Sequence, residues 1–140
     1  MLSFTIPQMT AFLSKVFPQV DGMFGIDRMD DELLVMRLLA DERHLRPGGT
    51  VSGPAMFALA DVSAYVATMA RIGREALTVT THASIDYMRK PAAGRDVLAH
   101  TRVLKLGRTL SVSDVLMFSE GSDAPVAHAS LTYSIPPRPA

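Results

Sequence analysis

The chain contains no cysteine, which excludes disulfides, thiolate nucleophiles and cysteine-ligated zinc. It also lacks net charge: 14 Lys and Arg balance 14 Asp and Glu. No global field therefore draws it to nucleic acid, and any anion it binds must meet a local cluster. The start, Met1-Leu2-Ser3-Phe4-Thr5-Ile6-Pro7, has neither the basic opening nor the apolar run of a signal peptide, so a cytoplasmic location is expected. There is no internal repeat and no low-complexity tract. The G-x-S-x-G elbow, the phosphate-binding P-loop and the dinucleotide fingerprint are all missing. His44, His82, His100 and His128 show no ligand spacing such as HExxH, so no metal site is expected.

What is present is a globular composition, 48% apolar and 20% charged over 140 residues, enough for one core and not two. The expected organisation is a helical segment over 1–21 and a main body over 22–137, forming a single domain. Met9, Phe12, Leu13, Val16 and Phe17 recur at helical spacing and predict a short amphipathic helix over 7–17. Pro7 suits its first turn and Pro18 stops it, and its simplest role is to lid the core. Strands are predicted at 22–29 and 33–40, joined by a turn at Asp30-Asp31. A loop from His44 to Thr50, broken by Pro47-Gly48-Gly49, leads into a long apolar stretch.

That stretch, Ala55 to Ile72, reads as a helix, with Ser52 or Gly53 as cap and Pro54 at the first position. It is apolar on nearly every side. A membrane span would be more uniformly apolar and somewhat longer, about 20 residues. The expectation is therefore a buried helix, wrapped by a curved sheet on one side and a partner subunit on another. Beyond it the period changes to two. Leu77, Val79, Thr81, Ala83, Ile85 and Tyr87 alternate with Thr78, Thr80, His82, Ser84 and Asp86. Three further strands follow, near 97–104, 110–118 and 127–135. Pro136-Pro137 ends the last one, and the final residues are expected to fray. Strands around one helix imply an α+β domain with an antiparallel sheet.

Asp61 is the chemical anomaly: it is the only charge between Arg46 and Arg71. An unpaired carboxylate on an apolar helix is costly. Either desolvation tunes it toward general-base work, or it bonds to backbone or an arginine and locks the fold. Gly53 and Ser52 sit where a helix start offers free N–H groups and a positive dipole end, able to hold an oxyanion or simply to cap. Gly53 and Asp61 are eight residues apart, about 12 Å along a helix. Joint action needs Asp61 to lean toward the N-terminus, or part of the site to come from another chain. Met56, Phe57 and Tyr65 are either core or pocket lining. Arg89, Lys90 and Arg108 are either a solvated face or phosphate contacts.

The segment His44-Leu45-Arg46-Pro47-Gly48-Gly49-Thr50-Val51-Ser52-Gly53-Pro54-Ala55-Met56-Phe57-Ala58-Leu59-Ala60-Asp61 closely resembles the motif of the hotdog-fold thioesterases. The nearest branch looks like the phenylacetic-acid-pathway (PaaI-type) acyl-CoA thioesterases, which commonly read H-x-N-P-x-G-x-x-H-G-G before an apolar helix carrying Asp or Glu. Tyr87-Met88-Arg89-Lys90-Pro91-Ala92, Leu106-Gly107-Arg108 and Val126–Tyr133 also look like family strand ends. The likeness spans roughly 22–135.

The resemblance implies a curved antiparallel sheet wrapped around one central helix. It also implies a homodimer, often a dimer of dimers, with sites between subunits. It casts the chain as an acyl-CoA thioesterase with no metal or redox cofactor, CoA being part of the substrate. Asp61 would be base or nucleophile, the Gly53 N–H would polarise the thioester carbonyl, and Ser52 would be an auxiliary polar group. Arg46 and Tyr65 would meet the substrate, and Arg89, Lys90 and Arg108 the CoA phosphates. Three positions depart from the pattern: Arg46 replaces asparagine, Ser52 replaces histidine and Pro54 replaces the second glycine. Arg46 either recognises an anionic group or pairs with Asp61. The alternatives are a non-catalytic acyl-thioester binder and, less favoured, an enoyl-thioester hydratase, for which the sequence offers no Asp/His dyad at the loop.

Overall fold

The computed structural model describes residues 2–137. Met1 and the expected fraying of residues 138–140 lie outside them. Helix α1 spans Ile6–Val16. It starts where Thr5 and Gln8 exchange reciprocal side-chain-to-backbone bonds, a capping box that satisfies two orphan donors. Strands β1 (Phe24–Met29) and β2 (Leu34–Leu38) follow. The turn between them is held by Asp30, whose Oδ1 accepts from the N–H groups of Glu32 and Leu33. Helix α2 runs over Gly53–Ile72 and ends at Gly73, whose φ of 96° stops the helix at little steric cost. Then come β3 (Val79–Tyr87), β4 (Val97–Leu106), β5 (Leu110–Ser119) and β6 (Pro125–Ser134).

The six strands form one antiparallel sheet in the order β1-β2-β4-β5-β6-β3, with α2 lying across its inner face. This is the hotdog arrangement that the resemblance implies. Leu34, Met36, Leu38, Val97, Ala99, Val115, Met117, Ala129 and Leu131 point inward against Leu59, Val66 and Met69 of α2. Each such large apolar side chain contributes about 1.5–3 kcal/mol when removed from water. Packing therefore adds to the intrinsic helix preference that the six alanines of α2 supply. Gly53–Ile72 is long and apolar enough to cross a membrane, but most of it is buried inside this chain. It is the core helix of the domain.

The expected lid is α1. Met9 and Leu13 are buried, and the Ser3 N–H donates to the Ala70 carbonyl at 2.8 Å, tying the N-terminal segment to α2. This chain itself thus covers part of the side of α2 expected to meet a partner. Toward the N-terminus of α2, Pro54, Phe57, Ala58 and Asp61 remain at least partly accessible.

Strand β3 departs from the uniform alternation expected of it. A bulge lies between Thr80 and His82 in its pairing with β6. The extra residue, Thr81, shifts the side-chain phase. After the bulge Ala83 and Ile85 pack on the core, as the pattern predicted. Before it the faces exchange: Thr78 is buried, while Leu77 and Val79 are 82% and 57% exposed.

Candidate active site

Asp61 sits on the accessible side of α2, opposite the point where β3 and β6 pair. Thr80 and Tyr133 face each other across that ladder. The Thr80 hydroxyl donates to Asp61 Oδ1 at 2.7 Å, and Tyr133 Oη lies 2.7 Å from the same oxygen and 2.8 Å from the Asp61 carbonyl. Oδ2 has no hydrogen-bond partner among the described residues. The phenol of Tyr133 is pushed far above its ordinary range, by burial first and then by the Asp61 charge. It therefore stays a neutral donor. No arginine pairs with Asp61 among the described residues, so the fold-locking arginine pair is not the arrangement found.

A pocket of about 290 Å³ opens beside the carboxylate, lined by Val16, Phe17, Asp61, Tyr65, Ala76, Thr78, Val79, Thr80 and Tyr133. Its wall is an aromatic series. Tyr65 stacks on Tyr133 with centroids 5.9 Å apart, and Phe17 meets Tyr65 edge-on at 6.2 Å. The Tyr65 hydroxyl is tied to the Ala76 carbonyl at 2.7 Å. Tyr65 thus both lines the pocket and belongs to the core.

The start of α2 has separate surroundings. Ser52 caps the helix, its Oγ accepting from the Ala55 N–H at 3.3 Å, and its own O–H meets no acceptor among the described residues. The Gly53 N–H has no acceptor among the described residues. The ring of Tyr87 covers the glycine: a Cβ there would lie 3.3 Å from the ring, and the Tyr87 hydroxyl donates to the Gly53 carbonyl at 2.9 Å. A side chain at 53 would ask the exposed Tyr87 ring to give by a few tenths of an ångström.

The structure therefore joins Asp61 with Tyr65, but within one chain it does not bring Gly53, Ser52 or Arg46 into that pocket. Arg46 is exposed in the loop before α2, its N–H bonded to the Thr50 carbonyl. Arg89 and Lys90 follow the Tyr87 end of β3, near Gly53. Arg108 lies beside Leu110, which pairs with the same residue of β6, Ser134, as Val79 does at the other end of β3. The nine residues of β3 separate these cations by about 25 Å. A second hollow, about 240 Å³, touches neither Asp61 nor Gly53; its charged lining is Asp41, Glu42, Arg95 and Asp96.

Sequence reasoning missed Thr80, Tyr133, Tyr87 and Phe17 as site residues. Tyr133 carried a signal: a tyrosine on an otherwise apolar face needs a partner for its hydroxyl. Thr80 carried none, because the bulge that turns it inward is a property of cross-strand pairing.

A sequence profile of the thioesterase superfamily matches residues 48–133. A solved structure from Silicibacter sp. TM1040, provisionally described as a thioesterase, is 60% identical, with 98% of this chain and 95% of that chain covered and a TM-score of 0.92. A mutant of the phenylacetic acid degradation protein PaaI from Thermus thermophilus is 25% identical, with 85% and 99% covered and a TM-score of 0.72. Zebra fish thioesterase superfamily member 2, 23% identical with 96% and 100% covered, has the same fold at a TM-score of 0.83. No curated protein sequence matches the chain.

Proposed function

This chain belongs to the thioesterase superfamily and has its hotdog fold, and on that premise we propose that it hydrolyses an acyl-CoA thioester to the free acid and CoA. The observation that carries the proposal is the Asp61 carboxylate, oriented by two hydroxyl donors at the mouth of an aromatic pocket, with one oxygen left without a partner among the described residues.

In the base route Asp61 takes a proton from water as the water oxygen bonds to the carbonyl carbon. The tetrahedral intermediate then expels sulfur, and the thiolate of CoA leaves with that proton. In the nucleophile route Asp61 itself bonds to the carbon, CoA leaves, and water opens the resulting anhydride. The Gly53 N–H, at the positive end of α2, stabilises the developing oxyanion in both. The Ser52 O–H adds a donor beside it. A carboxylate and a backbone N–H supply this chemistry, so the mechanism calls on no metal or redox cofactor.

Since Gly53 and Asp61 have different surroundings in one chain, the proposed site forms between two copies. Asp61 of one copy would meet Gly53 of the other. The apolar surface of Phe57, Leu77, Val79, Tyr87 and Met88, along α2 and the unpaired edge of β3, supports such a pairing. Arg46 would meet an anionic group of the substrate, and Arg89, Lys90 and Arg108 of different copies would serve the CoA phosphates. The proposed setting is the cytoplasm.

The competing reading is an acyl-thioester binder without turnover, which the replacements at Arg46 and Ser52 favour. Thiol release from a panel of acyl-CoAs, run on the wild type and on Asp61→Asn, separates them. Turnover abolished by the substitution supports the enzyme. Tight binding without thiol release, or turnover that survives in Asp61→Asn, rejects the proposed mechanism.

A further inference from the structure

Resting on the thioesterase reading, we propose that His44 is a positioning residue: its imidazole holds in place the carbonyl that anchors Ser52, and so aims the Gly53 N–H at the substrate. Among the described residues His44 is the one buried histidine, 6% exposed, while His82, His100 and His128 reach solvent. The proposed reaction makes no direct use of this ring. A buried polar ring is costly unless it is bonded, so its partners indicate its role.

His44 closes a 3-10 turn, Glu42–His44, that follows β2. Its Nδ1 accepts from the Asp41 N–H at 3.1 Å. Asp41 Oδ1 lies 3.4 Å from the same nitrogen, but that carboxylate is engaged by the Arg43 N–H at 2.9 Å and the Arg43 guanidinium at 2.8 Å. Nδ1 therefore acts as an acceptor, and the neutral ring carries its hydrogen on Nε2. One residue earlier the turn is tied to the sheet, where the Ala40 N–H donates to Asp96 Oδ1 at 3.0 Å, beside the start of β4.

From this root a narrow hairpin runs to the start of α2. The His44 carbonyl accepts from the Ser52 N–H at 2.8 Å, Leu45 bridges Val51, and the Arg46 N–H donates to the Thr50 carbonyl at 2.9 Å. Ser52 is thus held from outside the helix by His44. From inside it is held by the Ala55 N–H, 3.3 Å from its Oγ, and the Met56 N–H, 3.1 Å from its carbonyl. The Ser52 carbonyl and the Gly53 N–H share one planar trans peptide and point in opposite directions. A carbonyl fixed along the helix therefore fixes the Gly53 N–H away from it, where an oxyanion can meet it. Without the ring's acceptor the Asp41 N–H loses its partner, in a turn of three residues with little else to hold its geometry.

The test compares His44→Leu, His44→Asn and His44→Gln with the wild type, each as the full chain. Asn places an oxygen at the same number of bonds from the backbone as Nδ1, and Gln places it one bond further out. On a hydrolysed acyl-CoA, kcat is expected to fall about tenfold in His44→Leu and His44→Gln with KM within about twofold, and to stay within about threefold of wild type in His44→Asn. Hydrogen exchange of the Ser52 amide, followed by NMR, should quicken at least about fivefold in the first two variants and stay near wild type in the third. The Asn and Gln variants carry the comparison if the leucine variant does not fold. Wild-type kcat in His44→Leu or His44→Gln overturns the proposal. So does an Asn variant as slow as the Gln variant, a loss that lies in KM, or lost activity with unchanged Ser52 exchange. A wild type that releases no thiol from any acyl-CoA refutes the thioesterase reading separately, and the Ser52 exchange then still decides whether His44 holds the start of α2.

Discussion

Tyr133 and Asp61, 72 positions apart in the chain, meet at 2.7 Å through the phenol and the carboxylate. The contact ties the last strand to the middle of the core helix. It also sets the carboxylate's direction, because Thr80, directly across the ladder from Tyr133, donates to the same oxygen. One oxygen of Asp61 is thereby fixed, and the other has no hydrogen-bond partner among the described residues.

Removing the two donors should separate orientation from substrate binding. Tyr133→Phe and Thr80→Val are each expected to lower kcat by about tenfold with little change in KM, because both keep the shape of the pocket wall and loosen only the carboxylate. Each should also cost about 1–3 kcal/mol of stability, as hydrogen bonds to a charged group do. Steady-state kinetics on a hydrolysed acyl-CoA and thermal unfolding check both; a rise in KM alone rejects the positioning role.

At the other end of the helix, Gly53→Ala places a methyl against the Tyr87 ring. The backbone N–H survives the change, so lost activity would report the displaced ring and helix end. A modest fall in activity, about two- to threefold, is expected, with recovery in Gly53→Ala/Tyr87→Ala, where the space is reopened. Unchanged kcat/KM in Gly53→Ala would show that this close approach has no catalytic consequence.

A site shared between copies predicts complementation. Asp61→Asn and Gly53→Pro homo-oligomers should each be nearly inactive, the second because proline lacks the N–H. Mixed by joint refolding, they should regain about one quarter of wild-type activity, since random pairing leaves half the dimers mixed and one intact site in each. No recovery in a mixture shown by mass to contain mixed dimers rejects the shared site.

Within the core, Thr68 Oγ and Ser111 Oγ lie 2.9 Å apart, both fully enclosed, and join α2 to β5. Thr68→Val leaves the Ser111 hydroxyl without its partner. About 1–3 kcal/mol of destabilisation is expected, and the double variant with Ser111→Ala should recover part of it. Chemical denaturation of the three variants measures the coupling.

The turn at Asp30 should govern part of the acid limb of stability. Its carboxyl is held down at about 2, first by the Arg28 side chain and then by the Glu32 and Leu33 N–H groups. A folded-state value below the unfolded one means that the contribution is complete above pH 3.8 and is lost as pH falls toward 2. Asp30→Asn should therefore flatten the change of Tm between pH 4 and about 2 while leaving its slope near neutrality as in the wild type.

The amino-acid sequence by itself determined the α+β class, the long buried helix and the singular position of Asp61. Those features are local: a helical period, a strand period, turn residues, and one charge in an apolar run. The motif before the helix added the family. Tertiary structure alone decided what surrounds Asp61. Thr80 reaches it because a bulge at Thr81, set by pairing with β6, reverses the faces of β3. Phe17 reaches its pocket because α1 folds back over α2. Arg89 and Lys90, grouped with Arg108 by charge alone, lie at the opposite end of the sheet from it. Register and packing between distant segments set these relations, and no window of local sequence encodes them.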